Sequence, residues 1–241
     1  MALTDSLTSY YKFDENAANT TVSDATSTNT GTSTVNTSTL SVAGKINTAF
    51  SFDGSTNDYE VGFSTVFGMS ETSSSINCWV NLDSTSENGA FVSIGKAESD
   101  PGGDGYSIGV GSTTFNDSGN HLIGIYEGVR WFNSGTNIGT GWHMVTLTID
   151  SSGVPSLWLD GTVITSYAGN NARAPTINSY IGGYTQEGTN RHVDAIIDEV
   201  GLWTKELSTE EVTSLYNSGS GLAYPFGSEA APLKIFDVRF G

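Results

Sequence analysis

The sequence is poor in the residues that would tie it to a disulfide, a polyanion or a membrane. It has one cysteine, Cys78, so no internal disulfide can form. Lys and Arg number only 9 against 26 Asp and Glu, a formal net charge of −17. Binding DNA or RNA requires cations against phosphates, so a nucleic-acid partner is not expected. An anionic membrane surface is disfavoured for the same reason. No apolar run approaches the length of a transmembrane helix, which argues against membrane insertion. The opening residues, Met1 to Ser6, carry no basic region followed by a long apolar stretch. A cleaved secretory signal is therefore not expected, and synthesis in a cytoplasm is. The three histidines, His121, His143 and His192, lack metal-ligand spacing. No glycine-rich phosphate loop precedes a helix, and no repeat of fixed period is visible.

The residues that are present suit a large all-β fold. Glycine reaches 29 of 241 residues, while aromatics at 11% and hydrophobics at 37% can fill a core. The acidity serves solubility, or part of it gathers around a divalent cation. The stretch Leu7 to Phe13 reads as a first strand. Residues 16–44 are dominated by Thr, Ser and Asn but interrupted by Val22, Val35, Leu40 and Val42, and read as a surface excursion with short strand pieces. In Ser75 to Asn81, alternation puts Ile76, Cys78 and Val80 on one face and Trp79 on the other. Trp142 to Asp150 likewise groups Val145, Leu147 and Ile149. Asp160-Gly161, between two strand-like runs, predicts a two-residue hairpin turn. Ser208-Thr209-Glu210-Glu211 is a capping box with Leu207 and Val212 at staple spacing. It predicts one short helix that must dock on the sheets to persist.

The order of these signals resembles the laminin G-like jelly-roll family of the concanavalin A-like superfamily, to which the pentraxins are related. The resemblance rests on Tyr11 to Glu15, Gly44 to Gly54, Ile76 to Val80, Trp142 to Val145, Leu157 to Gly161, Ile181 to Gly183, Ile197 to Val200 and the helix after Leu207. It departs at Ala195, where the family often has Gly. It implies an all-β, two-sheet antiparallel jelly-roll sandwich with one short C-terminal helix, over residues 1–226. Residues 227–241 read as a C-terminal docking tail, because Leu233, Ile235, Phe236, Val238 and Phe240 are apolar within a short span. The tail is expected to dock on another chain or a neighbouring copy, as an added edge strand.

Residue chemistry points to several candidate sites. Stacked aromatics with flanking amides, carboxylates and Arg bind sugars. Tyr126, Arg130 and Trp131 form one such cluster, and Tyr184 and Arg191 a second. Trp79, Trp142, Trp158 and Trp203 match framework positions of the family, which leaves Trp131 for a ligand. The loop with Glu98, Asp100 and Asp104 is rich in carboxylates and glycine, as a calcium site requires. The resemblance to pentraxins implies a second loop facing it, here Gln186 and Glu187. Hydrolysis is the reading to weigh against binding. Asp194, Asp198 and Glu199 do not give the paired carboxylates a glycosidase needs, since strict alternation sends Asp198 and Glu199 to opposite faces. The expectation is a non-catalytic carbohydrate-binding or adhesion module whose partner is a glycan or cell-surface polysaccharide. It is displayed on a larger assembly such as a bacteriophage virion, or found outside the cell after assembly. The alternative is a virion structural or decoration protein without sugar binding.

Overall fold

The computed structural model describes residues 2–55, 61–95, 104–115, 117–126, 130–167, 174–176, 178–183, 185–186 and 189–227; at 125–126, 130, 185–186 and 189–190 it describes the backbone alone. In chain order the elements are β1 (Leu7–Tyr11), β2 (Thr21–Val22), β3 (Gly31–Ser33), α1 (Thr37–Leu40), β4 (Ser41–Ala43), β5 (Thr48–Asp53), β6 (Val61–Phe63), β7 (Ser74–Leu82), β8 (Gly89–Ile94) and β9 (Tyr106–Gly111). The second half of the chain adds β10 (His121–Tyr126), β11 (Arg130–Asn137), β12 (Gly141–Ile149), β13 (Pro155–Leu159), β14 (Thr162–Ser166), β15 (Ser179–Ile181), β16 (Thr185–Gln186), β17 (Thr189–Asn190), β18 (Asp194–Trp203) and α2 (Thr209–Tyr216).

The first sheet runs β14-β13-β12-β7-β18-β5-β4, with β1 also pairing to β18. The second runs β11-β10-β9-β8-β15-β6-β3-β2, and β16 and β17 form a separate two-stranded ribbon. Every strand pair among the described residues is antiparallel. This is the jelly-roll sandwich that the sequence predicts. Residues 16–44 supply the short strands β2, β3 and β4; Val22 sits in β2 and Val42 in β4, while β3 is Gly-Thr-Ser.

Strand alternation sorts side chains between the interior and the outer faces. Ile76, Cys78 and Val80 of β7 and Val145, Leu147 and Ile149 of β12 enter the main core, while Trp79 and Met144 leave on the other side of the same sheet. In β1, Tyr11 points in and joins Phe13 and Phe63, whereas its neighbour Tyr10 points out. Phe13 stacks on Phe50 with ring centres 4.5 Å apart. Truncating one such buried aromatic would cost about 3–5 kcal/mol.

The turn between β13 and β14 has Asp160 at φ 50° and Gly161 at φ 80°, and Leu159 pairs with Thr162 across it. Both central residues are left-handed, as the two-residue hairpin needs. Asp160 also reaches out: Oδ1 accepts the Met144 N–H at 2.9 Å and Oδ2 lies 2.9 Å from His143 Nδ1. His143, placed next to a carboxylate, is thus a turn-bracing residue.

Helix α2 covers the outer face of the first sheet. The Ser208 side chain accepts the Glu211 N–H at 3.3 Å, and the Glu211 carboxylate accepts the Ser208 N–H at 2.9 Å. Leu207, Val212 and Leu215 then pack with Tyr10, Trp79, Met144, Trp158, Trp203 and Phe226 in a second apolar cluster. Trp203 Nε1 donates to the Leu3 carbonyl at 2.7 Å, which ties the N-terminal turn to the same face.

Candidate functional site

The outer face of the second sheet carries a third, smaller cluster. Ala90, Phe115 and Ile123 are buried there, with Trp131 and Tyr180 half-buried around them. Trp131 reaches this face through the pairing of β11 with β10. Phe132 sits opposite Gly124, and its ring occupies the space where a Cβ on Gly124 would come within 2.2 Å of it. Gly124 therefore lets Phe132 lie flat into the core, and alternation then turns Trp131 outward.

Two contacts hold the Trp131 indole. Phe115 meets it edge-on, with centres 4.7 Å apart and planes at 88°. The Arg191 guanidinium lies 4.7 Å from its ring centre. Arg191 is only 4% exposed, and the attraction of a desolvated guanidinium for an indole face reaches about 2 kcal/mol. The backbone of Arg191 is fixed beside β8, because its carbonyl accepts the Ala90 N–H at 3.0 Å. The next residue, His192, is also buried, and burial pushes its imidazole below the ordinary range.

The structure therefore joins the two aromatic clusters of the sequence through one pair, Trp131 and Arg191. Tyr126 and Arg130 pair with each other in the ladder, one step out of phase with the Ile125–Trp131 pair. Tyr184 lies outside the described residues. Phe115 and Tyr180 complete the cluster and were not singled out in the sequence. Tyr180 directly precedes the Ile181-Gly182-Gly183 motif and could have been found there, whereas Phe115 sits in a loop with no pattern of its own.

Of the proposed calcium ligands, Glu98, Asp100 and Glu187 lie outside the described residues, and Gln186 is described only as a backbone partner of Thr189. Asp104 is engaged elsewhere: Oδ1 accepts the Thr176 N–H at 3.1 Å and Oδ2 accepts the Thr176 hydroxyl. Its carboxylate thus ties residue 176 to the start of β9, so the one ligand whose side chain is described does not present unengaged oxygens. Among the described residues no group of three or more His, Cys, Asp or Glu could hold a metal ion.

Asp198 and Glu199 depart from the sequence expectation. Ile197 and Val200 both enter the core, so the two residues between them leave on the same side. The cause is a bulge: the ladder with β7 shifts between Asp198 and Gly201, and Glu199 takes φ 50°. Both carboxylates are buried, on a strand in the middle of the first sheet and not at its edge. Asp198 accepts the Ile46 N–H at 2.9 Å and the Glu199 N–H at 2.8 Å, and the Tyr10 hydroxyl donates to Glu199. Burial pushes Asp198 up to about 8 and Glu199 up to about 7. Cys78, in the core, has its thiol pushed up by burial.

The fold is a two-sheet antiparallel sandwich with a small aromatic and arginine cluster on one outer face. The profile of the concanavalin A-like lectin/glucanases superfamily matches residues 53–213, and the chain belongs to that superfamily. No curated protein sequence matches it. Among solved structures it is similar to Trypanosoma rangeli sialidase in complex with sialic acid, with TM-score 0.63 and 14% identity over 91% of this chain and 34% of that one. It is also similar to domain 4 of AbnA, an extracellular arabinanase of Geobacillus stearothermophilus in complex with arabinotriose. There the TM-score is 0.60 and the identity 20% over 86% and 96% of the two chains. The binding domain of Paraclostridial Mosquitocidal Protein 1 gives TM-score 0.64 and 15% identity over 90% and 53%. The likeness is one of fold, and the chain spans about a third of the sialidase.

Proposed function

We propose that this chain is a non-catalytic glycan-binding module that uses the Trp131 face of the second sheet. The observation that carries this is the Trp131–Arg191 pair: a half-buried indole held in place by a buried guanidinium, with Tyr180 packed into the same cluster. A rigid aromatic offers an apolar face to sugar C–H groups at little cost in side-chain entropy. Fold neighbours that hold sialic acid or arabinotriose are consistent with a sugar as ligand. The burial of Asp198 and Glu199, at 0% and 1% exposure, argues against their use on a substrate.

The test is a glycan array with the intact chain, followed by calorimetry on Trp131→Ala. Loss of an aromatic anchor is expected to weaken binding by about 2 kcal/mol, roughly 30-fold, in a chain that stays folded with a melting temperature lowered by several degrees through loss of the Arg191 and Phe115 contacts. An array without hits, or a variant that unfolds, overturns the reading.

A further inference from the structure

Beyond Gly227 the expected docking tail lies outside the described residues. Within them, the head of β8 touches both groups that hold Trp131. Asn88 Nδ2 donates to the Phe115 carbonyl at 2.8 Å, and Asn88 Oδ1 accepts from the Ser118 hydroxyl at 3.5 Å. That carboxamide pins the turn from which Phe115 meets the indole edge-on. Two residues on, the Ala90 N–H donates to the carbonyl of Arg191, whose guanidinium lies over the same ring. Gly89 sits between them at φ 129°, and a Cβ there would come within 2.4 Å of the His192 carbonyl oxygen. Three consecutive residues thus fix both sides of the Trp131 setting.

Asn88-Gly89 is the single Asn-Gly pair in the sequence. An asparagine followed by glycine is prone to cyclise, because no side chain on the next residue shields its backbone nitrogen. The Gly89 nitrogen forms a bond to Asn88 Cγ, and the Cγ–Nδ2 bond breaks. Nδ2 leaves as ammonia, taking the proton that Gly89 gives up. Water then opens the succinimide ring: cleavage at Cγ gives aspartate, and cleavage at the main-chain carbonyl gives isoaspartate. Asn88 is half-buried in irregular backbone ahead of the strand, so water has access to it.

Either product is wrong for this place. Its carboxylate faces the Phe115 carbonyl, acceptor against acceptor, where the amide had donated. Acid already crowds the neighbourhood: burial, with Asp194 and Asp83 close by, pushes the adjoining Glu87 carboxyl up. Isoaspartate also lengthens the main chain by one carbon, just where Gly89 is packed against His192.

We propose that Asn88 is a deamidation site, and that its conversion to an acid releases Phe115 and loosens the setting of Trp131. The effect on sugar binding rests on the reading of this face given above; the chemistry and the loosening do not. The intact chain is aged in mildly alkaline buffer and mapped by peptide mass spectrometry. Asn88 is expected to become an acid ahead of every other asparagine. An Asn88 that stays an amide while other asparagines convert overturns the proposal. Asn88→Asp is then compared with the unsubstituted chain by acrylamide quenching of tryptophan fluorescence, with Trp131 present and in a Trp131→Phe background. The aged chain, in which the acid forms after folding, is measured alongside. Quenching is expected to rise where Trp131 is present and to stay the same where it is not. The Phe115 amide should exchange about tenfold faster or more, while β12 keeps its protection. Quenching equal to that of the unsubstituted chain overturns the proposal. So does a rise that persists in the Trp131→Phe background, or a loss of protection in β12, since either marks general destabilisation. None of these readouts needs a sugar, so a glycan array without hits leaves them standing.

Discussion

Asp24, Asp198 and Glu199 are among the groups through which this fold responds to pH. Asp198 and Glu199 have folded-state values raised by burial to about 8 and about 7, against about 4 in an unfolded chain. For a raised carboxylate the stabilisation is complete below the unfolded value and is lost as pH rises through the folded one. Asp24 works in the opposite sense. Burial opposes its ionisation, but N–H donors from Tyr10, Thr26 and Asn29 outweigh that and hold it low. Its contribution is lost as pH falls through that lowered value. Thermal unfolding followed from pH 5 to pH 9 should therefore show a falling melting temperature, by about 2–4 °C for each kcal/mol lost. Asp198→Asn should flatten the slope, because it keeps an acceptor for Ile46 and removes the titration. A slope equal in both chains would place the pH dependence elsewhere.

At the scale of elements, local chemistry decides how much shows in the sequence. The β13–β14 hairpin, the alternation of β7 and β12 and the capping box of α2 were all legible, because each depends on residues a few positions apart. Ser208→Ala should remove about 1 kcal/mol of stability by taking away the cap, seen as a lower urea midpoint with an unchanged slope. The bulge at Glu199 was not legible. Positive φ at a glutamate has no sequence signature, and one inserted residue reverses the parity of everything after it. The Trp131–Arg191 contact was hidden for another reason, since it joins two elements that the fold alone brings together. The acidic loop at 98–104 remains an expectation for calcium. Saturating calcium should raise the melting temperature by about 5–10 °C and a chelator reverse it, as ligand binding to the native state alone requires. Asp100→Asn should abolish the difference, and indifference to calcium and chelator would reduce the loop to the Asp104–Thr176 tie.

At the scale of the molecule, the sandwich has two unlike outsides. One is closed by α2, the N-terminal turn and residues 222–227; the other carries Trp131, Phe115 and Tyr180. The two faces are separated by the sheets and the main core between them. A chain tethered to a bead or sensor surface through the residues beyond Gly227 would thus turn its aromatic side toward the liquid. Soluble oligosaccharide should reach nearly every immobilised copy. Copies coupled at random through Lys and the N-terminus should lose part of that capacity to crowding. Joined side by side on such a support, the same domains would form a one-sided, multivalent coat, in which weak single contacts add up to firm adhesion.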